Sequence, residues 1–412
     1  MSGIIKTLPW NGIQCDELPR LEAATTDLIQ SLRGFDAIHE TSAVYCGLPD
    51  CNSLSSLIRK LQGQLTILQE QVSAIDAGWD RTVNEAYGVT DEDVRRLREI
   101  NVFDDDDDSS DGENDDEDTP RLSDSTIAGM LLSRLVGIVF GRWGRASYAE
   151  LTLTLASGSP YTVLPSYPPQ AVQDTTRSSQ KLEGGLAFDS PRLAILVDDP
   201  EHADDIVRRI REVCDVICEG RGDAVETEAC DILSVKEIRD YFRKPGKNGF
   251  WDDHVTRYSQ SRRNAPIYWL LQSSKKNYAI WLYYHRLDKD LLFKTLLNYV
   301  EPKIRLETSR FESFRSQKAA AGESGKEAKR LAKDVERQED FLSELRDFED
   351  KLRRAANLHL EPDLNDGVVL NIAPLWELVP WKEAKKYWDE LMEGKYEWSS
   401  IGKQLRQKGL VK

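Results

Sequence analysis

Pro266-Ile267-Tyr268-Trp269-Leu270-Leu271-Gln272 is followed by Ser273-Ser274-Lys275-Lys276-Asn277 and then by Tyr278-Ala279-Ile280-Trp281-Leu282-Tyr283-Tyr284. Two aromatic and aliphatic runs flank a short polar stretch. This is the pattern of two antiparallel strands joined by a turn. Almost everything around it has helical spacing. Downstream, residues 288–357 predict a helical hairpin. Ile304, Phe311 and Phe314 mark one arm, and Val335, Leu342, Leu345 and Leu352 mark the other. Ala321-Gly322-Glu323-Ser324-Gly325 is the turn, and the whole reads as a two-stranded antiparallel coiled coil. Beyond Pro362, Trp376, Trp381, Trp388 and Trp398 are expected to pack a small terminal unit.

Upstream of the hairpin, residues 204–218 and 235–242 predict amphipathic helices. Leu193-Ala194-Ile195-Leu196-Val197 reads as a strand, and residues 147–165 are also β-rich, with Ser, Gly and Pro between their short runs. Ile127 to Trp143 is apolar nearly throughout and predicts a buried helix. Residues 16–100 read as helical. Leu54, Leu57, Ile58, Leu61, Leu65, Leu68 and Val72 recur at three- and four-residue steps, on one helix face. Asn52-Ser53 is the expected N-cap. A separate helix carrying Trp79, Val83 and Ala86 is expected to end at Gly88. Thr90 and Asp93 form the capping box of the next. The fold class expected is α+β and predominantly α-helical. It has an N-terminal helical region, a central mixed segment with short antiparallel strands, and a long C-terminal antiparallel helical hairpin. The expected divisions are 1–102 helical, 103–120 an acidic disordered loop and 121–287 a mixed α/β domain. Residues 288–360 form the hairpin and 361–412 a small Trp-rich unit.

A chain of 412 residues is long enough for two or three domains. Ten Trp, 14 Tyr and 11 Phe supply a real core and exclude global disorder. No run approaches the roughly 20 apolar residues of a membrane span. The N-terminus shows no apolar signal region, so a cytoplasmic location without a membrane partner is expected. The six cysteines suit a reducing compartment and are no disulfide framework. Cys214 and Cys218 lie four apart. A metal there would need two more ligands, with only His202 and Cys230 nearby, so core packing is expected.

The net charge of −16 misleads, because the charge is segregated along the chain. Residues 104–118 contain 11 Asp or Glu and no Lys or Arg. This run has no apolar residue to bury and is expected to be a solvated loop, or alternatively a DNA mimic that covers a basic groove. Residues 257–318 carry 13 Lys or Arg against 5 Asp or Glu. An acidic total therefore does not exclude nucleic acid as a partner.

Gly322-Glu323-Ser324-Gly325-Lys326 resembles the end of a phosphate-binding loop. It has Ala320 and Glu327 where that loop needs Gly and Ser or Thr, and it lies between helices. The five histidines are scattered. Asp252, Asp253 and His254 suggest a metal or acid–base cluster, or else exposed residues at a helix entry, which is the expectation. No residue pattern here builds an active site, so a binding module is the default reading.

Ser261-Arg262-Arg263-Asn264-Ala265-Pro266-Ile267-Tyr268-Trp269, with Tyr283-Tyr284-His285-Arg286-Leu287, resembles a signature of PglX-type DNA adenine methyltransferases. Those enzymes belong to BREX phage-defence systems and related large restriction–modification enzymes. Asn84 to Val89, Leu135 to Trp143, Ile238 to Phe242 and Leu364 to Asn371 resemble four further blocks of that family, in the same order. The family's catalytic half carries an Asn-Pro-Pro-Tyr loop for the flipped adenine and a Gly-rich loop for S-adenosylmethionine. Here the single Pro-Pro pair, Pro168-Pro169, follows Ser166-Tyr167, and no cofactor loop is present. The resemblance implies a non-catalytic DNA specificity subunit. Its partners would be double-stranded DNA, a catalytic subunit that carries Asn-Pro-Pro-Tyr and binds S-adenosylmethionine, and other defence proteins. Phosphate contacts position such a subunit and base contacts specify. The expected DNA-binding residues are Arg257, Arg262, Arg263, Lys275 and Lys276. The lysines would reach phosphates at the hairpin tip, and Arg262 or Arg263 would be bidentate to guanine. The alternative is a regulatory protein whose acidic loop blocks a nucleic-acid-binding partner.

Overall fold

The computed structural model describes residues 18–42, 45, 48, 53–101, 122–143, 193–243, 249–260, 263–321 and 325–411. The acidic run and the β-rich 147–165 stretch lie outside them. The described residues fall into two compact units, which divide within one helix between Ile127 and Ala128.

The first unit is helical. It holds α1 (Leu18–Asp36), α2 (Leu54–Tyr87), α3 (Asp91–Asn101) and the first turn of α4 (Asp124–Val139). Ser53 caps α2 by accepting from the Ser56 amide at 3.1 Å, and Gly88 closes it at φ +65°. The expected break before Trp79 does not occur, and α2 runs unbroken for 34 residues. The reason is tertiary. Gly78, the one weak helix former near the junction, faces α1 at close range, since a Cβ there would lie 2.7 Å from Leu21. The Trp79 indole donates to Thr25 at 2.9 Å beside it. The Thr90–Asp93 capping box forms in both directions, with amide contacts of 3.0 and 3.3 Å.

The second unit is built on a three-stranded antiparallel sheet. After α4 come β1 (Ile195–Val197), α5 (Ile206–Ile217), α6 (Gly222–Ile232), α7 (Ile238–Arg243) and α8 (Phe250–Arg257). A small ribbon of β2 (Ser259–Gln260) and β3 (Arg263–Asn264) precedes β4 (Tyr268–Gln272) and β5 (Ala279–Tyr283). The sheet order is β1-β5-β4, with Trp269 opposite Leu282 and Leu270 opposite Trp281. Every residue of the three strands is buried, so both faces are covered. On one face Tyr268 and Tyr283 stack on Phe140 of α4 at 5.3 and 5.5 Å, and Trp281 meets Phe250 of α8 at 5.2 Å. The other face lies under the helical hairpin. Here α9 (Leu291–Thr295) passes through a wide π turn at Leu296–Val300 into α10 (Glu301–Ala321), and α11 (Lys326–Asn357) returns beside it. Arg353 pairs with Glu301 near the base, and Gln338 binds Glu307 one level up, which fixes the antiparallel sense.

The chain closes with α12 (Val368–Ile372), α13 (Lys382–Met392) and α14 (Ser400–Gln407). Leu370, Ala373, Leu391, Ile401 and Leu405 form their core. The expected packing of four tryptophans needs one correction. Trp376, Trp381 and Trp388 are half-buried, but Trp398 is 63% exposed. Tyr396 two residues earlier takes a left-handed backbone at φ +61°, and it is Tyr387, Trp388 and Tyr396, not Trp398, that pack against the small aliphatic core.

Candidate functional site

The hairpin tip is docked rather than free. The Glu344 carboxylate of α11 accepts the Lys275 amide at 2.8 Å, the Asn277 amide at 3.3 Å and the Asn277 side-chain amide at 2.7 Å. Ser273 closes the turn, accepting the Tyr278 amide through Oγ at 3.0 Å. Lys275 Nζ lies 3.0 Å from Asp340, with both groups well exposed, so the pair is weak. Lys276 sits at φ +65°, is exposed, and has no ion pair among the described residues. Of the other expected residues, Arg262 lies outside the described residues, as does the side chain of Arg263, whose backbone pairs with Gln260.

Arg257 ends α8 and is half-buried beside an internal polar cluster. Asp253, Tyr241 and Arg257 converge on Gly129 of α4, where a Cβ would lie 3.0, 3.1 and 3.3 Å from them. Tyr241 donates to Asp253. Burial raises the Asp253 carboxyl above its usual range, against the opposing effects of Tyr241 and Arg257. The expectation that Asp252, Asp253 and His254 are exposed at a helix entry fails for His254, which is fully buried. Its Nε2 accepts the Ile267 and Tyr268 amides at 2.9 and 3.0 Å. Burial, helped by Arg257 and Arg142, holds the ring neutral with its pKa well below the usual imidazole range. A ring nitrogen occupied by two backbone donors is not available as a base, so His254 is a clamp between α8 and β4.

The blocks that carry the family resemblance in this unit meet around the sheet. Gly141 takes φ +68°, and a Cβ there would lie 3.0 Å from the Arg286 guanidinium. Arg286 also donates to the Leu193 carbonyl at 3.2 Å. The Arg142 guanidinium lies 4.1 Å over Trp143 and donates to Tyr258. Tyr284 donates to the Leu364 carbonyl at 3.1 Å and accepts from Asn371 at 3.3 Å. Asp366 accepts the Ser400 and Ile401 amides at 2.9 and 2.8 Å and so caps α14.

Sequence reasoning missed a buried ionic network at the end of β1. Arg239 is bidentate to Asp205 at 2.8 Å and also binds Asp198, which takes Arg243 as well. Lys303 bridges Asp199 at 3.0 Å and Glu307 at 2.9 Å, with both carboxylates buried and the lysine largely so. Arg310 reaches Glu307 and Glu201. The signal was Asp198-Asp199 directly after an apolar strand. The network also shows where part of the charge of residues 257–318 goes, since Lys303 and Arg310 are neutralised by carboxylates about 100 residues away in sequence. Cys214, Cys218 and Cys230 are buried. No metal-holding group of three or more His, Cys, Asp or Glu occurs among the described residues. Nor does any helix there have the length and apolarity to cross a membrane. An apolar recess of about 510 Å³, its open mouth included, lies between Trp269, Leu291, Ala355 and Leu375, with Asp288 and Lys289 among its lining residues.

No protein-family model matches the chain. It is 28% identical over 201 residues to the adenine-specific methyltransferase BrxX of Escherichia coli O9:H4 (strain HS), covering 46% of this chain and 16% of that protein. It is 28% identical over 147 residues to the adenine-specific methyltransferase PglX of Lacticaseibacillus casei (strain Zhang), covering 34% of this chain and 11% of that one. The chain thus matches less than a fifth of the length of either relative. With the blocks above assembled in one core, the chain is a relative of the PglX/BrxX-type adenine-specific methyltransferases.

Proposed function

We propose that the chain is a non-catalytic, DNA-binding specificity part of an adenine-specific methyltransferase system in phage defence. The observation that carries this reading is the 201-residue match to an adenine-specific methyltransferase in a chain whose sequence has no Asn-Pro-Pro-Tyr. A base in a duplex must leave the stack before it is methylated, so a second surface has to hold the flanking duplex. This chain supplies that hold, and a catalytic partner supplies S-adenosylmethionine and the reacting pocket. The double-covered sheet supports the reading, because the paired residues 259–260 and 263–264 directly precede β4 and so belong to the same unit as the hairpin tip. Lys276, and Lys275 in exchange for its weak pair with Asp340, would contact phosphate, while Arg262 or Arg263 would read a base.

The test is binding of the purified chain, alone and with its catalytic partner, to paired duplex across a salt series. Changing Lys275 and Lys276 together to Ala should lower affinity about equally for all sequences and reduce the slope of log K against log salt by roughly 2. Changing Arg262 or Arg263 should cost about 1–3 kcal/mol and relax preference at one base pair. Duplex affinity that is absent, or unchanged in all these variants, sinks the reading.

A further inference from the structure

We infer that the C-terminal helices carry a second nucleic-acid surface, which stacks an unpaired base on Trp398. The inference rests on the reading of the chain as a DNA-binding protein.

Trp398 is the most exposed large hydrophobic side chain of the described residues, at 63%. It continues a row of rings. Tyr387 and Tyr396 are 5.9 Å apart, Tyr396 and Trp398 are 6.4 Å apart edge to face, and Lys386 Nζ lies 5.8 Å over Tyr387. The turn that presents Trp398 is fixed. Tyr396 holds a left-handed backbone at φ +61°, a conformation that non-glycine residues keep mainly where the surroundings and function demand it. Its carbonyl accepts Ser399 through the amide at 2.9 Å and the hydroxyl at 2.8 Å. A Cβ on Gly402 would lie 2.6 Å from that carbonyl. Ser399 then caps α14, its Oγ accepting the Gly402 amide at 3.0 Å. Trp398 therefore occupies the position that ordinarily packs on the fourth residue of the helix. That residue is Lys403, so the helix offers no apolar side chain at the position where the indole would ordinarily pack.

Charge chooses the occupant. From Trp381 onward the chain has eight Lys or Arg against five Asp or Glu. Four of the five carboxylates have named partners: Glu397 is taken by Arg406, Glu390 by Tyr396 and Lys395, Glu393 by Lys395, and Asp389 by Lys385. Lys382, Lys386, Lys403 and Lys408 are exposed and have no carboxylate within ion-pair distance among the described residues. An exposed ring on a segment that also exposes unpaired lysines, one of them over the adjoining Tyr387, suits a base with its flanking phosphates, which is how single strands are held without sequence preference.

The experiment uses the full chain and three fluorescent probes. They are a 20-nucleotide oligothymidine strand, a 20-base-pair duplex with one bulged base, and the same duplex fully paired. Trp398→Ala should weaken the strand and the bulged duplex about tenfold and change the paired duplex less than about twofold. Trp398→Phe should recover most of the loss. Lys386→Ala with Lys403→Ala should lower the salt slope for the strand by roughly 1.4. Thermal melting of Trp398→Ala should match the wild type, since the ring is exposed; if it does not, Trp398→Phe and the lysine pair decide. The inference is overturned if Trp398→Ala binds the strand like wild type, or loses all three probes equally. It is also overturned if the substitution weakens capture of the catalytic partner protein while leaving every probe unchanged. Strand binding without paired-duplex binding would sink the proposed function and leave this surface standing. Duplex binding with a strand affinity indifferent to Trp398 would do the reverse.

Discussion

His254 shows how one side chain joins two elements through its protonation state. The imidazole has to stay neutral, because its Nε2 receives two backbone amides in a site with no water access. Burial depresses its pKa well below that of the unfolded chain. The unfolded state therefore takes up a proton first as pH falls. The contribution is fully present above about pH 6.5 and is lost below it, at about 1.4 kcal/mol per pH unit until the folded ring itself protonates. Denaturant melts between pH 7 and 5 should show this slope together with that of His285, whose pKa burial lowers to about 4. His254→Gln, which keeps an acceptor that does not titrate, should be less stable at pH 7 but flatter across that window.

The β4–β5 hairpin and α11 are held together by one carboxylate. Glu344 is buried and serves three donors of the turn. Replacing it with Ala leaves two backbone amides to find other acceptors, so unfolding free energy should drop by about 1–3 kcal/mol. The double change of Lys275 and Lys276 to Ala should alter melting by less than about 0.5 kcal/mol, because Lys275 holds only an exposed ion pair. This contrast separates a stability effect from a binding effect at the same turn. If Glu344→Ala melts like wild type, the turn does not depend on α11. The approach of α4 to the sheet is set in the same local way. A Cβ on Gly137 would lie 2.3 Å from Trp143 and 3.0 Å from the Tyr268 hydroxyl, which explains a glycine in the last turn of a buried helix.

Over the whole molecule, charge is uneven enough to control association. Removing residues 104–118 takes away eleven carboxylates and changes the net charge from −16 to −5. The run has no apolar side chain, so its deletion should shift melting by less than about 0.5 kcal/mol. DNA affinity should rise, and rise most at low salt, because the long-range repulsion that is removed is screened at higher ionic strength. A loss of cooperative unfolding on deletion would make this run a structural segment. Equal affinity at all salt concentrations would show that its charge does not reach the binding surface.

Much of the fold was legible because it is written in local chemistry. The continuous aromatic and aliphatic runs gave β4 and β5, with the turn residues between them. The helical spacing and Gly325 gave α10 and α11, and Thr90 with Asp93 marked a helix start to the residue. These are short-range preferences, set within one turn or one strand pair. The course of α2 through Gly78, the burial of His254 and the exposure of Trp398 were decided elsewhere. Each depends on which distant element arrives at that spot: α1 at Gly78, β4 at His254, and, for Trp398, the core that Tyr387, Trp388 and Tyr396 cover instead. The candidate site divides the same way. The sequence by itself determined that residues 257–318 are rich in cations. Only the tertiary structure decided that Lys303 and Arg310 are matched by Asp199 and Glu201 from the far end of β1, because opposite charges remote in sequence meet only when the chain folds.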